Sequence, residues 1–292
     1  MPELPEVETI VRELRKDLVG LKITGVWADR EKPLFQAGGL SGVNKSVKNR
    51  KILKVWRRAK FIVIDLEGPK SLFIHQKISG HLLYGRWKLK SGHWTSVLGG
   101  DLKDDPKNRF LRIVFSLNNS YHLALSDVRR FGKVVLVNDN DVSGLKEIRD
   151  LGPEPLEINF KKFEDLFRDK RGRIKQVLMD PFFIVGIGNI YSDEILWTSG
   201  IHPLSRVENL KKEHIKKMYK AMVDILNKAI KYQGSSNDDY RLPSGGKGMF
   251  QTIQRAYHQT GKKCFRKDGG IIVRIVVGGR SAHFCNKHQK LI

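Results

Sequence analysis

The chain is poor in cysteine. Its 292 residues carry two, Cys264 and Cys285. Two cysteines cannot staple a secreted disulfide scaffold. Buried apolar surface must hold the fold instead, and a hydrophobic content of 40% can supply it. The chain also lacks any run of 18 apolar residues, and no basic segment followed by an apolar stretch opens it. A membrane-spanning helix and a secretory leader are therefore not expected, and the chain reads as soluble and intracellular. Acidic residues are scarce as well: 31 Asp and Glu stand against 54 Lys and Arg, a net charge of +23. An excess of that size is well beyond what solubility needs. It points to a polyanionic partner, most simply nucleic acid. A membrane surface fits less well, because no long basic amphipathic helix dominates.

What is present divides along the chain. Residues 5–19 carry Val7, Ile10, Val11, Leu14 and Leu18 on one helical face, with Gly20 as a stop. Val- and Ile-rich runs at 51–66, 71–74, 111–117, 121–125 and 133–137 read as strands. Residues 91–108 read as a long loop. Two prolines in Leu151-Gly152-Pro153-Glu154-Pro155-Leu156 mark a linker. The pattern then turns helical at 160–167, 174–179, 190–198 and about 210–232. Residues 234–249 are rich in Gly and Ser and read as a mobile loop, and 250–292 form a basic tail holding both cysteines.

Five segments carry chemistry. Pro2 stands directly after Met1 in Pro2-Glu3-Leu4-Pro5-Glu6. With Met1 removed, Pro2 is a secondary amine that can attack a sugar C1′ and form an iminium. An α-amino group has a reference pKa of about 7.7–8.0, so much of it is neutral near pH 7. Glu3, its neighbour, can supply the proton a leaving base needs. With Met1 retained there is no such nucleophile, and the glutamates are simply the acidic first turn of a helix. Arg57-Arg58-Ala59-Lys60 opens an apolar strand and offers phosphate contacts, with Lys60 beside a reacting sugar. Asp127-Val128-Arg129-Arg130-Phe131-Gly132 places cation and ring together, the composition of a wedge that enters a base stack. Gly186-Ile187-Gly188-Asn189 lets backbone approach a phosphate ahead of a helix N-terminus. In the tail, Cys285 and His288 have zinc-ligand spacing. Cys264 is a third soft donor, and Asp268, His258 or His283 could be the fourth.

Taken together, these motifs resemble the bacterial formamidopyrimidine-DNA glycosylases. The shared segments are MPELPEVET at 1–9, RRAKF at 57–61, DVRRFG at 127–132, LGPEPL at 151–156, GIGNIYSDEIL at 186–196, GIHP at 200–203 and GRSAHFC at 279–285. The resemblance implies an α+β multidomain fold. A leading helix and N-terminal β-sandwich would occupy 1–150, a helix–two-turn–helix domain 151–249, and a zinc-ribbon-like hairpin 250–292. It implies Pro2 as Schiff-base nucleophile, Glu3 as general acid, Lys60 as proton donor for β-elimination and Arg280 as the phosphate grip that assists δ-elimination. Glu6, Ile78, Asn108, Arg129, Phe131, Lys170 and Asn189 would contact DNA, with Arg129 and Phe131 filling the gap left by a flipped nucleotide. Cys264, Cys285 and His288, with Asp268 as candidate fourth ligand, would hold a structural Zn2+. The partner would be damaged double-stranded DNA, the protein a monomer, and its place the bacterial cytosol and nucleoid.

The chain departs from the family pattern at three places. His75-Gln76-Lys77-Ile78-Ser79-Gly80 replaces HLGMSG, so a β-branched wedge, stiff at χ1, stands for methionine. Lys107-Asn108-Arg109-Phe110 replaces KHDH, so Asn108 stands where a DNA-contacting histidine is usual. The ribbon has two cysteines where four are usual. Two other functions fit the same composition: excision of oxidised pyrimidines, as in the endonuclease VIII branch, and non-catalytic nucleic-acid binding.

Overall fold

The computed structural model describes residues 1–30, 39–137 and 146–292, which divide into two compact units. Met1–Arg149 and Tyr232–Met249 form the first; Asp150–Lys231 and Phe250–Ile292 form the second. The three-part division expected from sequence therefore describes chain order rather than packing.

The first unit opens with α1 (Leu4–Leu18) and β1 (Ile23–Ala28), followed by α2 (Gly39–Val47). Strands β2 (Ile52–Arg58), β3 (Phe61–Leu66), β4 (Lys70–His75) and β5 (His81–Gly85) come next. After a small hairpin, β6 (Trp87–Lys90) and β7 (His93–Ser96), a one-turn α3 (Asp101–Asp104) leads to β8 (Leu111–Leu117). Strands β9 (His122–Ser126) and β10 (Lys133–Val137) and a short α4 (Lys146–Arg149) complete it. Two four-stranded antiparallel sheets result, ordered β1-β8-β9-β5 and β10-β4-β3-β2. One core joins them. It contains Ile23, Ile113, Phe115 and Leu125 from one sheet, Ile62, Ile64, Leu72, Ile74 and Val134 from the other, and Val7, Ile10, Val11 and Leu14 of α1. Removing such apolar surface from water, at about 25 cal/mol per Å2, is what holds the sandwich together.

Two expectations change here. The apolar run 51–66 is two strands: Arg58 pairs with Phe61, so Ala59 and Lys60 form a two-residue turn with Ala59 at φ 52°. The stretch 91–108 is not one loop but holds β7, α3 and a 3-10 turn at Pro106–Arg109. Its polar strands alternate too weakly to read as strands.

The second unit has α5 (Phe160–Asp165), α6 (Ile174–Leu178), α7 (Asn189–Ser199), α8 (Lys212–Lys231) and a hairpin of β11 (Ile272–Val277) and β12 (Arg280–Cys285). Helix α8 is amphipathic, burying Ile215, Met218, Met222, Leu226 and Ala229 at helical spacing. Helix α7 is buried all round, every residue from Tyr191 to Trp197, because α6, α8 and β12 pack on it. Gly200 at φ 75° ends it with a left-handed cap.

Two carboxylates inside α7 tie down the tail. Glu194 accepts the backbone N–H groups of Arg255, Ala256 and Tyr257 at 2.9–3.1 Å. Burial pushes its carboxyl up, against those three hydrogen bonds. Asp193 accepts from Lys175 Nζ at 2.6 Å, and from His283 through its backbone N–H at 2.9 Å and Nδ1 at 2.8 Å. No helix among the described residues is long and apolar enough to cross a membrane.

Candidate active site and nucleic-acid interface

Met1 is half exposed, whereas Pro2 and Glu3 are buried at the start of α1. Glu3 is the N-cap and Glu6 stands at N3. Their side chains form a reciprocal capping box in which Glu3 N–H donates to Glu6 Oε2 at 2.8 Å. The second carboxylate oxygen of Glu6 accepts Ser235 N–H at 2.8 Å. Gly234, at φ 77°, lies so close that a Cβ there would meet Glu6 Cγ and Oε1 at 2.8 Å. Glu6 thus fastens the 232–249 segment to the same helix end that presents Pro2. Tyr240 adds a bond from its hydroxyl to Glu6 O at 3.4 Å.

Helix α1 is also braced sideways. Glu8 bridges Arg12 at 2.8 Å and Arg57 at 2.9 Å. Burial pushes its carboxyl up, but the two guanidinium groups outweigh that and hold it below the ordinary range. Lys60 sits in the turn that follows Arg57. Phe61, the next residue, pairs with His75 and touches its ring edge-on at 4.8 Å.

His75 is depressed to about 3, first by burial and then by the charges of Lys77, Lys60 and Lys133. It is neutral at pH 7, and its Nδ1 accepts Lys77 N–H at 2.9 Å. His81 is depressed to about 4, again chiefly by burial. In both cases the unfolded chain binds a proton that the folded chain refuses, over the interval from about 6.5 down to the folded value. Stability is therefore fully present above about pH 6.5 and falls as pH drops toward 4. Denaturation midpoints measured from pH 7 to pH 4 should show this loss, and His75→Gln should reduce the slope.

The three residues expected to form a wedge lie in this unit. Ile78 is 41% exposed, Phe131 is 54% exposed, and Arg129 is exposed on the loop between β9 and β10. What aligns them is Asp127, itself 1% exposed. Its Oδ1 accepts from Ser79 Oγ and, at 3.1 Å, from Arg129 N–H; its Oδ2 accepts Gly132 N–H at 2.7 Å. Ser79 Oγ in turn accepts Arg129 N–H at 3.2 Å. One carboxylate therefore locks the Ile78 loop to the Arg129–Phe131 loop, and Arg130 is held at φ 56° between them. Asp127→Ala removes the acceptor of three hydrogen bonds, of which Arg129 N–H alone keeps a second one, to Ser79 Oγ. It should cost about 3 kcal/mol of stability, at roughly 1 kcal/mol per bond, and chemical denaturation would check it.

Asn108 requires a correction. A phosphate contact needs an exposed amide, but Asn108 is 1% exposed. Its Nδ2 donates to Asp101 O at 2.7 Å and Gly245 O at 3.1 Å, and its Oδ1 meets His81 Nε2 at 3.0 Å. With its amide so engaged, it fixes Gly245, and with it the 232–249 segment, to α3. That segment, expected to be mobile, is hydrogen-bonded at both ends of its course, to Glu6 and to Asn108.

In the second unit, Gly278 and Gly279 both have positive φ, 57° and 74°, as a two-residue type I′ hairpin turn requires. Arg280 follows them, exposed at the tip. A Cβ at Gly278 would collide with the Gln176 side chain, so the turn is seated closely on α6. Asn189 opens α7, and its Oδ1 is buried with no hydrogen-bond partner among the described residues. Lys170 pairs with Asp180 at 2.8 Å and lies 5.7 Å from the Phe183 ring.

The tail brings together four donors. Atoms of Cys264, Asp268, Cys285 and His288 all lie within 4.8 Å of one another, a group that could hold a metal ion. His288 Nδ1 is 3.5 Å from Cys264 Sγ and 2.9 Å from Asp268 Oδ2. Its other nitrogen, Nε2, is 3.0 Å from Trp197 O, the outer-shell bond that orients a metal-binding imidazole. Two thiols, one imidazole and one carboxylate suit zinc. His258 and His283, the other candidates, are not in the cluster. Burial, first among several causes, pushes the Cys264 thiol up.

Several of these roles escape sequence reasoning: Asp127 and Ser79 as organisers, His75 between lysines, and the Asp193–Glu194 pair. Only Asp127 leaves a signal, as an Asx residue heading a turn.

Two family models match the chain: the formamidopyrimidine-DNA glycosylase N-terminal domain over residues 1–134 and the formamidopyrimidine-DNA glycosylase H2TH domain over residues 151–240. The chain belongs to the formamidopyrimidine-DNA glycosylase family. The formamidopyrimidine-DNA glycosylase of Pelotomaculum thermopropionicum is 36% identical over 293 residues, covering 100% of both chains. The fold matches Lactococcus lactis structures of the family. One, a mutant in complex with a Fapy-dG containing DNA, has a TM-score of 0.84 at 31% identity, covering 99% of this chain and 100% of that one. Another, wild type with an oxidized pyrimidine containing DNA, has a TM-score of 0.83 at 30% identity and the same coverage.

Proposed function

We propose that the protein excises oxidised purines, 8-oxoguanine and formamidopyrimidines, from duplex DNA and then cleaves the strand. The observation that carries this reading is Pro2 and Glu3 together at the buried N-terminus of α1, in a chain matched along its whole length by this family. With Met1 gone, the Pro2 nitrogen attacks C1′ as the glycosidic bond breaks. Glu3 gives its proton toward the leaving base or the ring oxygen. Breaking the C1′–O4′ bond opens the sugar and leaves an iminium, which acidifies C2′; loss of that proton expels the 3′ phosphate, with Lys60 as proton donor. A second elimination, assisted by Arg280, expels the 5′ phosphate. Ile78, Arg129 and Phe131 fill the vacated stack, at the cost of unstacking that a damaged pair lessens. Lys170 and Asn189 grip the backbone. Glu6 contributes by fastening 232–249 beside the nucleophile.

Cys264, Asp268, Cys285 and His288 hold Zn2+ in this reading. Four protein donors close the site, so the metal's part is structural. It steadies the hairpin that carries Arg280. The protein acts as a monomer on damaged duplex DNA in the bacterial cytosol and nucleoid.

Borohydride reduction during turnover on an 8-oxoguanine duplex tests the enzyme reading. A covalent protein–DNA adduct is expected. Salt-dependent binding without adduct or scission would instead support a non-catalytic binder. A second substrate class rests on one observation, the related Lactococcus lactis complex with an oxidized pyrimidine containing DNA. Competing lesion duplexes would rank the two, and the purine lesions are expected to be cleaved faster.

A further inference from the structure

The outer face of sheet β1-β8-β9-β5 carries a second, smaller core of Leu83, Trp87, Leu102, Leu111, Val114 and Ala124, with Trp27, Trp94 and Leu98 packed against it. The β6–β7 hairpin and α3 supply the covering side chains. They leave a cavity of about 390 Å3. Its walls include Trp87, Trp94, His93, Lys103 and Arg109. Three features define what would enter it.

First, the wall is aromatic and fixed. Trp94 is braced edge-on by Trp27, with ring centroids 5.8 Å apart, and by His122 at 5.3 Å. Burial, the largest cause, holds the His122 imidazole below its ordinary range. Second, the rim is cationic. Lys103 and Arg109 are both exposed, and no carboxylate is among the described residues lining the cavity. Asp101 and Asp104 neighbour Lys103 in sequence without lining the cavity. Third, the wall has an unused donor. Trp94 Nε1 is buried and has no hydrogen-bond partner among the described residues.

A flat ring that stacks, acceptor atoms on that ring and an attached anion are the properties of a nucleotide. We infer that this cavity is a second nucleotide site, distinct from the one at Pro2. A base seats against Trp94, and Lys103 and Arg109 take its phosphate. The volume falls in the range of about 300–1,000 Å3 usual for small-ligand pockets. The site does not depend on the chemistry assigned to Pro2. The nucleotide comes either from solution or from an unpaired stretch of the DNA strand, and the chemistry of recognition is the same for both.

The test is a 1H–15N spectrum of the full chain, with the Trp94 indole resonance assigned through Trp94→Phe. Titrants are dAMP, deoxyadenosine, ribose 5-phosphate and a 5′-phosphorylated tetradeoxynucleotide. With dAMP or the tetranucleotide, the Trp94 indole resonance should shift and saturate. Deoxyadenosine and ribose 5-phosphate should each bind at least tenfold more weakly. Lys103→Ala/Arg109→Ala should lower dAMP affinity at least tenfold while cleavage of a damaged duplex is unchanged. Saturation by dAMP at the lower concentration identifies a free nucleotide as the occupant; saturation by the tetranucleotide identifies the strand. Equal response to ribose 5-phosphate would mean anion attraction to a strongly basic protein and would overturn the inference. So would an unmoved Trp94 resonance with all four titrants.

Discussion

Protein carrying one extra residue ahead of Pro2 should give no borohydride-trapped adduct. Its strand cleavage should fall by at least about 10³-fold, the scale on which enzymes lose rate when a covalent nucleophile is removed. The effect is confined to one atom. Acylation turns the Pro2 nitrogen into a tertiary amide with no lone pair for C1′. The remainder of the site is untouched, because the capping box uses the Glu3 backbone N–H and the Glu6 carboxylate. Binding to damaged duplex should therefore survive within a few-fold. Pro2→Gly should lie between the two extremes, since its terminal amine is primary and still nucleophilic. Gel analysis of trapped adduct, beside filter binding of the same proteins, separates the two effects.

Removing the zinc proposed for the tail should be the second large perturbation. Structural zinc contributes on the order of 10 kcal/mol to isolated finger peptides. In this tail part of that ordering comes from elsewhere: Glu194 holds 255–257, Asp193 holds His283, and Gln289 Nε2 donates to Ile201 O at 2.8 Å. Chelation should thus release about one zinc per chain and lower the thermal midpoint without unfolding the second unit outright. It should weaken DNA binding at least tenfold as the Arg280 hairpin loosens. Cys285→Ser should reproduce this. Asp268→Ala should lower zinc retention while keeping the fold, as loss of one ligand among four would. Elemental analysis of freshly purified protein, followed by chelator titration, checks each step.

The sequence makes some of this site legible and hides the rest for identifiable reasons. Helix α1 and the Pro2-Glu3 pair are readable because apolar spacing and a terminal amine are local properties. Helix α8 is readable because one face is solvated. Helix α7 carries little periodicity, since every face from Tyr191 to Trp197 is covered. The turn at Ala59 and Lys60 is hidden because Arg57-Arg58-Ala59-Lys60 holds no Gly, Pro, Asn, Asp or Ser to mark a reversal. Asn108 misleads: its position in the chain suggests DNA contact, while its burial between Asp101, His81 and Gly245 makes it a clamp. Three of the four donors in the tail follow from soft-ligand spacing. Asp268 is one of three fourth-ligand candidates in the sequence, and the fold singles it out by closing the loop between Cys264 and Gly270. Asp127 shows the same limit, since its partners Ser79 and Gly132 lie 48 and 5 residues away in the chain.

In the proposed mechanism the reacting atom is the Pro2 nitrogen. The most direct measurement is peptide mapping by mass spectrometry of the adduct trapped with borohydride on an 8-oxoguanine duplex. The DNA remnant should sit on the amino-terminal peptide, which should begin with Pro2 and lack Met1. A remnant on Lys60 or any other lysine, or no adduct from protein whose Met1 has been removed, would contradict the account.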